Sequence, residues 1–204
     1  MLVLFLILLL AVIAFFKTDV KEKFIKPKYE DVIKSDIDYD SDGIDDYTDI
    51  LNGAKDFISK KPKYKSKYYD GGYPTDEYRV CTDIIWYALK NAGYDFKTLI
   101  DEDIKNNKDE YDEDVGDTNI DFRRVRNIKV YLDRNALKLA NDSDFNPGDI
   151  VVYKKHIAIV SDKVNSKNEN YILHQHMYQA YEYDGLFKNE ILGHYRWRLN
   201  DGKK

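Results

Sequence analysis

The residues with the greatest chemical potential are a single cysteine, Cys81, and two of the four histidines, His156 and His174. A lone thiol cannot form an intramolecular disulfide, so it says nothing about redox compartment. Its bland reading is a small buried hydrophobe; its chemical reading is a nucleophile. The stripe Ile84, Ile85, Ala88, Leu89 and Ala92, closed by Gly93, predicts a helix that Cys81 opens. A cysteine in a first helical turn feels the positive end of the macrodipole, which lowers its pKa and raises the thiolate fraction. Arg79 adds positive charge two residues upstream. A nucleophilic thiolate also needs a nearby imidazole, and a third group to hold that imidazole in the useful tautomer. His156 stands at the start of one predicted strand and His174 within the next. Adjacent antiparallel strands would bring the two rings together. Other readings stay open here. His174 and His176 project from one strand face and with His156 could bind Zn²⁺, which would leave Cys81 unexplained. Either histidine could equally be a satisfied core residue. His176 and His194 are read as structural, and Asp83, Asp121, Arg123 and Arg124 as either cleft-lining or solvated helix charges.

A second constellation lies upstream, in Asp38-Tyr39-Asp40-Ser41-Asp42-Gly43-Ile44-Asp45-Asp46-Tyr47-Thr48-Asp49. Asp38, Asp40, Asp42, Asp46 and Asp49 fall at the oxygen-ligand positions of an EF-hand loop. Gly43 falls where the sharp turn needs glycine, and Ile44 where a main-chain carbonyl serves. This spacing predicts Ca²⁺, a hard cation that wants six or more oxygens; the alternative is an acidic, solvated loop. Asp in place of Glu at the last position, with no entering helix, resembles the single loops of dockerin-like modules. The expected role is structural, with Ca²⁺ fixing the linker against the catalytic body. No organic cofactor is expected.

Around these residues the 204-residue chain has 43% hydrophobic and 34% charged side chains, which places its body among ordinary globules. A net charge of −5 gives no pull toward nucleic acid. The chain has 18 tyrosines; a sugar-holding surface is one reading and core packing the plainer one. Leu2 to Phe16 is an unbroken apolar run ended by Lys17, long for a signal-peptide core and short for a spanning helix. Without a lipobox cysteine or a clean A-x-A site, it is read as a signal anchor in preference to a cleaved signal. Lys17, Lys21, Lys23, Lys26 and Lys28 follow the run and none precedes it, so the positive-inside rule argues against an external body. The abundance of calcium outside cells argues for one, and an extracytoplasmic, membrane-anchored location is the expectation.

The remaining divisions are a linker at 17–35, the calcium-like loop and its helix at 36–58, and a catalytic domain at 59–200. Helices are predicted over 47–59, from Cys81 to Gly93, and over 121–134, with loops at 59–74 and over the strongly acidic 101–117. Period-two patterning then predicts strands over 149–153, 156–161, 171–176 and 193–199. Asn146-Pro147-Gly148-Asp149 forms a turn into the first of them. Helices followed by an antiparallel sheet define an α+β domain. No internal repeat is present.

The stretches GGYPTDEYRVCTDIIWYALKNAGYD (71–95), NIDFRRVRNIKVYLDR (119–134), NPGDIVVYKKHIAIVSDK (146–163), YILHQH (171–176) and GHYRW (193–197) resemble the uncharacterised bacterial family DUF1287, placed near the NlpC/p60 cysteine peptidases and amidases. The resemblance covers roughly 36–198. It implies a papain-like fold with Cys81 as nucleophile, His156 as general base and His174 as the residue that orients it. Gln175 stands where that family commonly has Asn, a mild departure. NlpC/p60 enzymes typically cleave amide bonds in cell-wall stem peptides. The resemblance therefore implies a monomeric cysteine hydrolase whose partner is a cell-wall peptide or other amide, held to the membrane through residues 1–16. A transferase, or a non-catalytic wall-binding or adaptor module on the same fold, is the competing reading.

Overall fold

A computed structural model describes residues 32–142 and 144–198. The predicted anchor at 1–16, and residues 17–31 of the predicted linker, lie outside the described residues. Among the described residues, no helix is long and apolar enough to cross a membrane.

Among the described residues four α-helices precede the main sheet. Helix α1 spans Asp46–Ser59, with Asp45 as its N-cap accepting the Thr48 N–H. Two short parallel strands, β1 (Lys63–Tyr64) and β2 (Tyr78–Arg79), pair across what the sequence predicted as a plain connecting loop. Helix α2 spans Asp83–Asn91, α3 Phe96–Asn106 and α4 Val125–Asn135. The six strands after them are β3 (Leu137–Leu139), β4 (Ile150–Tyr153), β5 (His156–Val164), β6 (Asn170–Gln175), β7 (Ala180–Tyr183) and β8 (Ile191–Arg196). They form one antiparallel sheet in the order β3-β8-β4-β5-β6-β7. The chain is thus α+β, as its patterning predicts.

Strand alternation sorts the sheet residues into two faces. Ile150, Val152, Ile157, Ile159, Leu173 and Tyr195 bury against the helices, in one core with Ile50, Ala54, Phe57, Ile84, Leu89 and Ile128. Val151, Tyr153, Ala158, Val160, Ile172 and Ile191 face the other way, under Phe145 and Leu186. Two sequence expectations change. The acidic segment predicted as an exposed loop over 101–117 begins inside α3, where Phe96, Ile100, Asp103 and Ile104 are buried. Asp103 accepts the Tyr111 hydroxyl and the Arg134 guanidinium, which compensates its burial. In addition, α2 begins at Asp83 rather than at Cys81, with Thr82 as its cap residue.

Candidate active site

Cys81 sits in the turn that leads into α2, and buried polar bonds hold that turn. Asp83 accepts the Val80 N–H at 2.7 Å and the Trp86 indole N–H at 2.9 Å. It also accepts two N–H groups of Arg123 at 2.7 and 3.0 Å, a fully buried bidentate ion pair. The Thr82 hydroxyl donates to the Arg123 carbonyl. Asp83 is therefore neither solvated nor open to a substrate; with Arg123 it braces the cysteine turn. Asp121 is buried as well and pairs with the half-exposed Arg124.

The Cys81 thiol is half-buried, and burial pushes it up to about 11. The Ile157 N–H opposes that shift, the Asp83 carboxylate adds to it, and the N–H groups of Thr82 and of Cys81 itself oppose it further. The helix dipole does not yield the lowered thiol that the sequence predicted, because desolvation of the thiolate outweighs it. The ladder between β5 and β6 starts only at Ile159↔Leu173, so Ile157 lies ahead of the first pair, and its side chain joins the core cluster that Cys81 packs against.

His156 opens β5 directly after the Lys154-Lys155 turn, opposite Tyr153. Its Nε2 lies 2.8 Å from His174 Nδ1, a hydrogen bond between the two imidazoles. The structure thus brings together the two histidines the sequence singled out. Burial lowers His156 to about 4, helped by His176, and lowers His174 to about 3, helped by His156 and His176, so both rings are neutral at pH 7. The bond on Nε2 leaves His156 Nδ1 as its free ring nitrogen among the described residues. His174 is buried and its Nε2 has no hydrogen-bond partner. The rings of Tyr181 and Tyr183 enclose it, with centroids at 4.9 and 5.6 Å.

These two groups open into different depressions. Tyr153, His156, His174, His176, Tyr183 and Lys188 line one of about 350 Å³. Cys81, Tyr64, Lys67, Val80, Thr82 and Arg123 line another of about 190 Å³. Among the described residues no hydrogen bond joins the thiol to either imidazole; the two groups are linked through β5, where His156 precedes Ile157 of the cluster that Cys81 packs against. A shared Zn²⁺ is a poor fit, because among the described residues His156, His174 and His176 do not bring three ligand nitrogens within 4.8 Å of one another. His194 is structural: its Nδ1 meets the Ala140 carbonyl and its Nε2 meets Asp149, which also binds Arg196. Sequence reasoning missed Tyr181 and Tyr183 because β7 was not anticipated; the alternation Ala180-Tyr181-Glu182-Tyr183 was its only local signal.

In the upstream loop, Asp38, Asp40 and Asp42 each offer an oxygen, all within 4.8 Å of one another. Asp38 accepts the N–H groups of Asp42 and Gly43, and Asp42 accepts that of Ile44. Asp46 turns inward instead, accepting the Tyr39 N–H on one oxygen and the Tyr94 hydroxyl on the other. Asp49 is buried, and its Oδ2 has no partner. Burial raises its carboxyl to about 6, with Asp42, Asp40, Asp46 and Asp38 adding to the rise.

A family model described as "Domain of unknown function (DUF1287)" matches residues 51–197, so the match begins after Asp49. The chain is 32% identical over 164 residues to the Escherichia coli (strain K12) protein "Uncharacterized protein YijF", an alignment that spans 72% of this chain and 80% of that one. No solved structure matches it significantly.

Proposed function

Because the chain belongs to the DUF1287 family, a domain of unknown function, we propose from its site that it is an extracytoplasmic cysteine hydrolase of papain-like architecture. It cleaves an amide bond, with cell-wall stem peptides as the substrate class. One observation carries the reading: His156, bonded to His174 at 2.8 Å, directly precedes Ile157, which belongs to the core cluster that Cys81 packs against. In the productive tautomer His156 donates from Nε2–H to His174 Nδ1, which leaves Nδ1 as the base. His156 takes the Cys81 proton as the sulfur attacks the amide carbonyl, and N–H groups at the α2 entry receive the oxyanion. The C–N bond breaks, the imidazolium protonates the leaving amine, and a thioester forms. Water, deprotonated by His156, then releases the acid and restores the thiol. An amine in place of that water would make the protein a transferase. At rest the thiol and the imidazole are both neutral, so the proton passes between them only as the sulfur attacks. The protein acts as a monomer, tethered through residues 1–16.

A second reading is a non-catalytic wall-binding module, which the two separate depressions and the missing thiol–imidazole hydrogen bond favour. Full-length protein incubated with peptidoglycan fragments and assayed by mass spectrometry separates the two. The hydrolase reading expects new amines in the wild type and none in Cys81→Ala. Retained hydrolysis in Cys81→Ala rules it out. Fragment binding without cleavage, with iodoacetamide alkylating Cys81 at the same rate in His156→Ala, establishes the module.

A further inference from the structure

The acidic loop before α1 lies ahead of the segment matched to the family, and the hydrolase reading gives it no part. Three of its carboxylates, Asp38, Asp40 and Asp42, converge within 4.8 Å. Among the described residues no lysine or arginine forms an ion pair with them or with Asp49. Convergent carboxylates alone do not make a site. Asp49 is the independent observation. It is only 3% exposed, and its Oδ2 has no hydrogen-bond partner. It stands at the twelfth position of the loop spacing, where an EF-hand places its closing carboxylate. A buried carboxylate oxygen without a donor is costly, and a cation held between it and the loop removes that cost.

We propose that Asp38, Asp40, Asp42, the Ile44 main-chain carbonyl and the buried Asp49 carboxylate form a Ca²⁺ site. Asp46 is not a direct ligand. Both its oxygens are engaged by Tyr39 and Tyr94, so it positions the loop from behind. Five protein groups, with Asp49 binding through one or both oxygens and water filling the rest, meet the six to eight oxygens that Ca²⁺ takes. The site is seated on the body. Tyr39 stacks on Tyr94 at 4.2 Å, and Gly93 lets the loop close over it, since a Cβ there would lie 2.7 Å from that of Asp40. Calcium therefore clamps the segment before α1 onto the turn after α2.

The test is calorimetric titration of the chelator-treated, full-length chain in detergent with CaCl₂, paired with thermal unfolding. The expected result is saturable heat and a rise in Tm of roughly 5 °C or more at calcium a hundredfold above Kd, with neither effect from equal MgCl₂. Asp42→Asn and Asp49→Asn lose both responses. Both also melt higher than the wild type in chelator, because each removes a repelling charge. Should the buried Asp49→Asn fail to fold, the exposed Asp40→Asn carries the same test. No heat up to about 10 mM CaCl₂, beyond the range of the weakest calcium modules, overturns the site. So do equal responses to Ca²⁺ and Mg²⁺, or unchanged titration in Asp42→Asn.

Discussion

At Cys81 two effects of opposite sign meet. The α2 entry offers N–H groups that favour a thiolate, while half-burial beside Asp83 disfavours one, and burial prevails. The imidazoles are shifted by burial too, downward, and this ties them to stability. The folded values of His156 and His174 lie below the unfolded value of 6.5, so below pH 6.5 the unfolded chain binds more protons than the folded one. The stabilisation is therefore present above pH 6.5 and lost as pH falls toward about 3. At about 1.4 kcal/mol per pKa unit, urea unfolding at pH 7 and pH 4 should differ by on the order of a few kcal/mol. A His156→Gln/His174→Gln variant should show a shallower pH dependence. Asp83 permits a second test at this scale. Asp83→Ala strands a buried guanidinium and should cost about 3–5 kcal/mol in urea unfolding, whereas Asp114→Ala, at an exposed pair with Arg126, should cost about 1 kcal/mol or less.

At the scale of elements, turns and registers place the site. The Lys154-Lys155 turn pairs Tyr153 with His156, and that register puts His156 on the same sheet face as His174. A slip of one residue would turn the imidazole into the helical core. The entry to β4 has its own constraint. Gly148 has φ +92°, and a Cβ there would lie 2.8 Å from the Tyr47 carbonyl oxygen in the first turn of α1. Gly148→Ala should therefore cost about 1–3 kcal/mol, read as a lower Tm with the far-UV circular dichroism of the native state unchanged below it. Helix α3 shows why acidic composition misled: one of its faces carries Phe96, Ile100 and Ile104, and Asp103 joins that buried face because Tyr111 and Arg134 satisfy it.

For the whole molecule, the sheet is the shared wall of two apolar clusters. Consecutive residues of one strand, Ile159 and Val160, belong to opposite clusters and are both fully buried. Loss of packing on either face should therefore propagate through the same backbone, and the described body should melt in a single transition. Ile159→Ala and Val160→Ala should each lower that one calorimetric peak, Ile159→Ala by about 2–5 kcal/mol. Two resolved peaks in either variant would show that the clusters fold independently. The shared wall also explains how the thiol and the imidazoles reach the same strand while opening into different depressions.

Features that depend on near neighbours were readable from the chain alone. The stripe of α2, the alternation of β4 to β6 and the glycine-bearing turn at 146–149 are all short-range patterns, and the α+β class follows from them. Features that depend on burial and on distant partners were not. Only the packed structure sets the His156–His174 bond, the raised Cys81 thiol, the inward turn of Asp46 and the burial of Asp83 against Arg123. The reason is physical: a local pattern fixes which face a side chain occupies, but its charge state and partners depend on the solvent it loses, and that loss is set by residues far away in sequence.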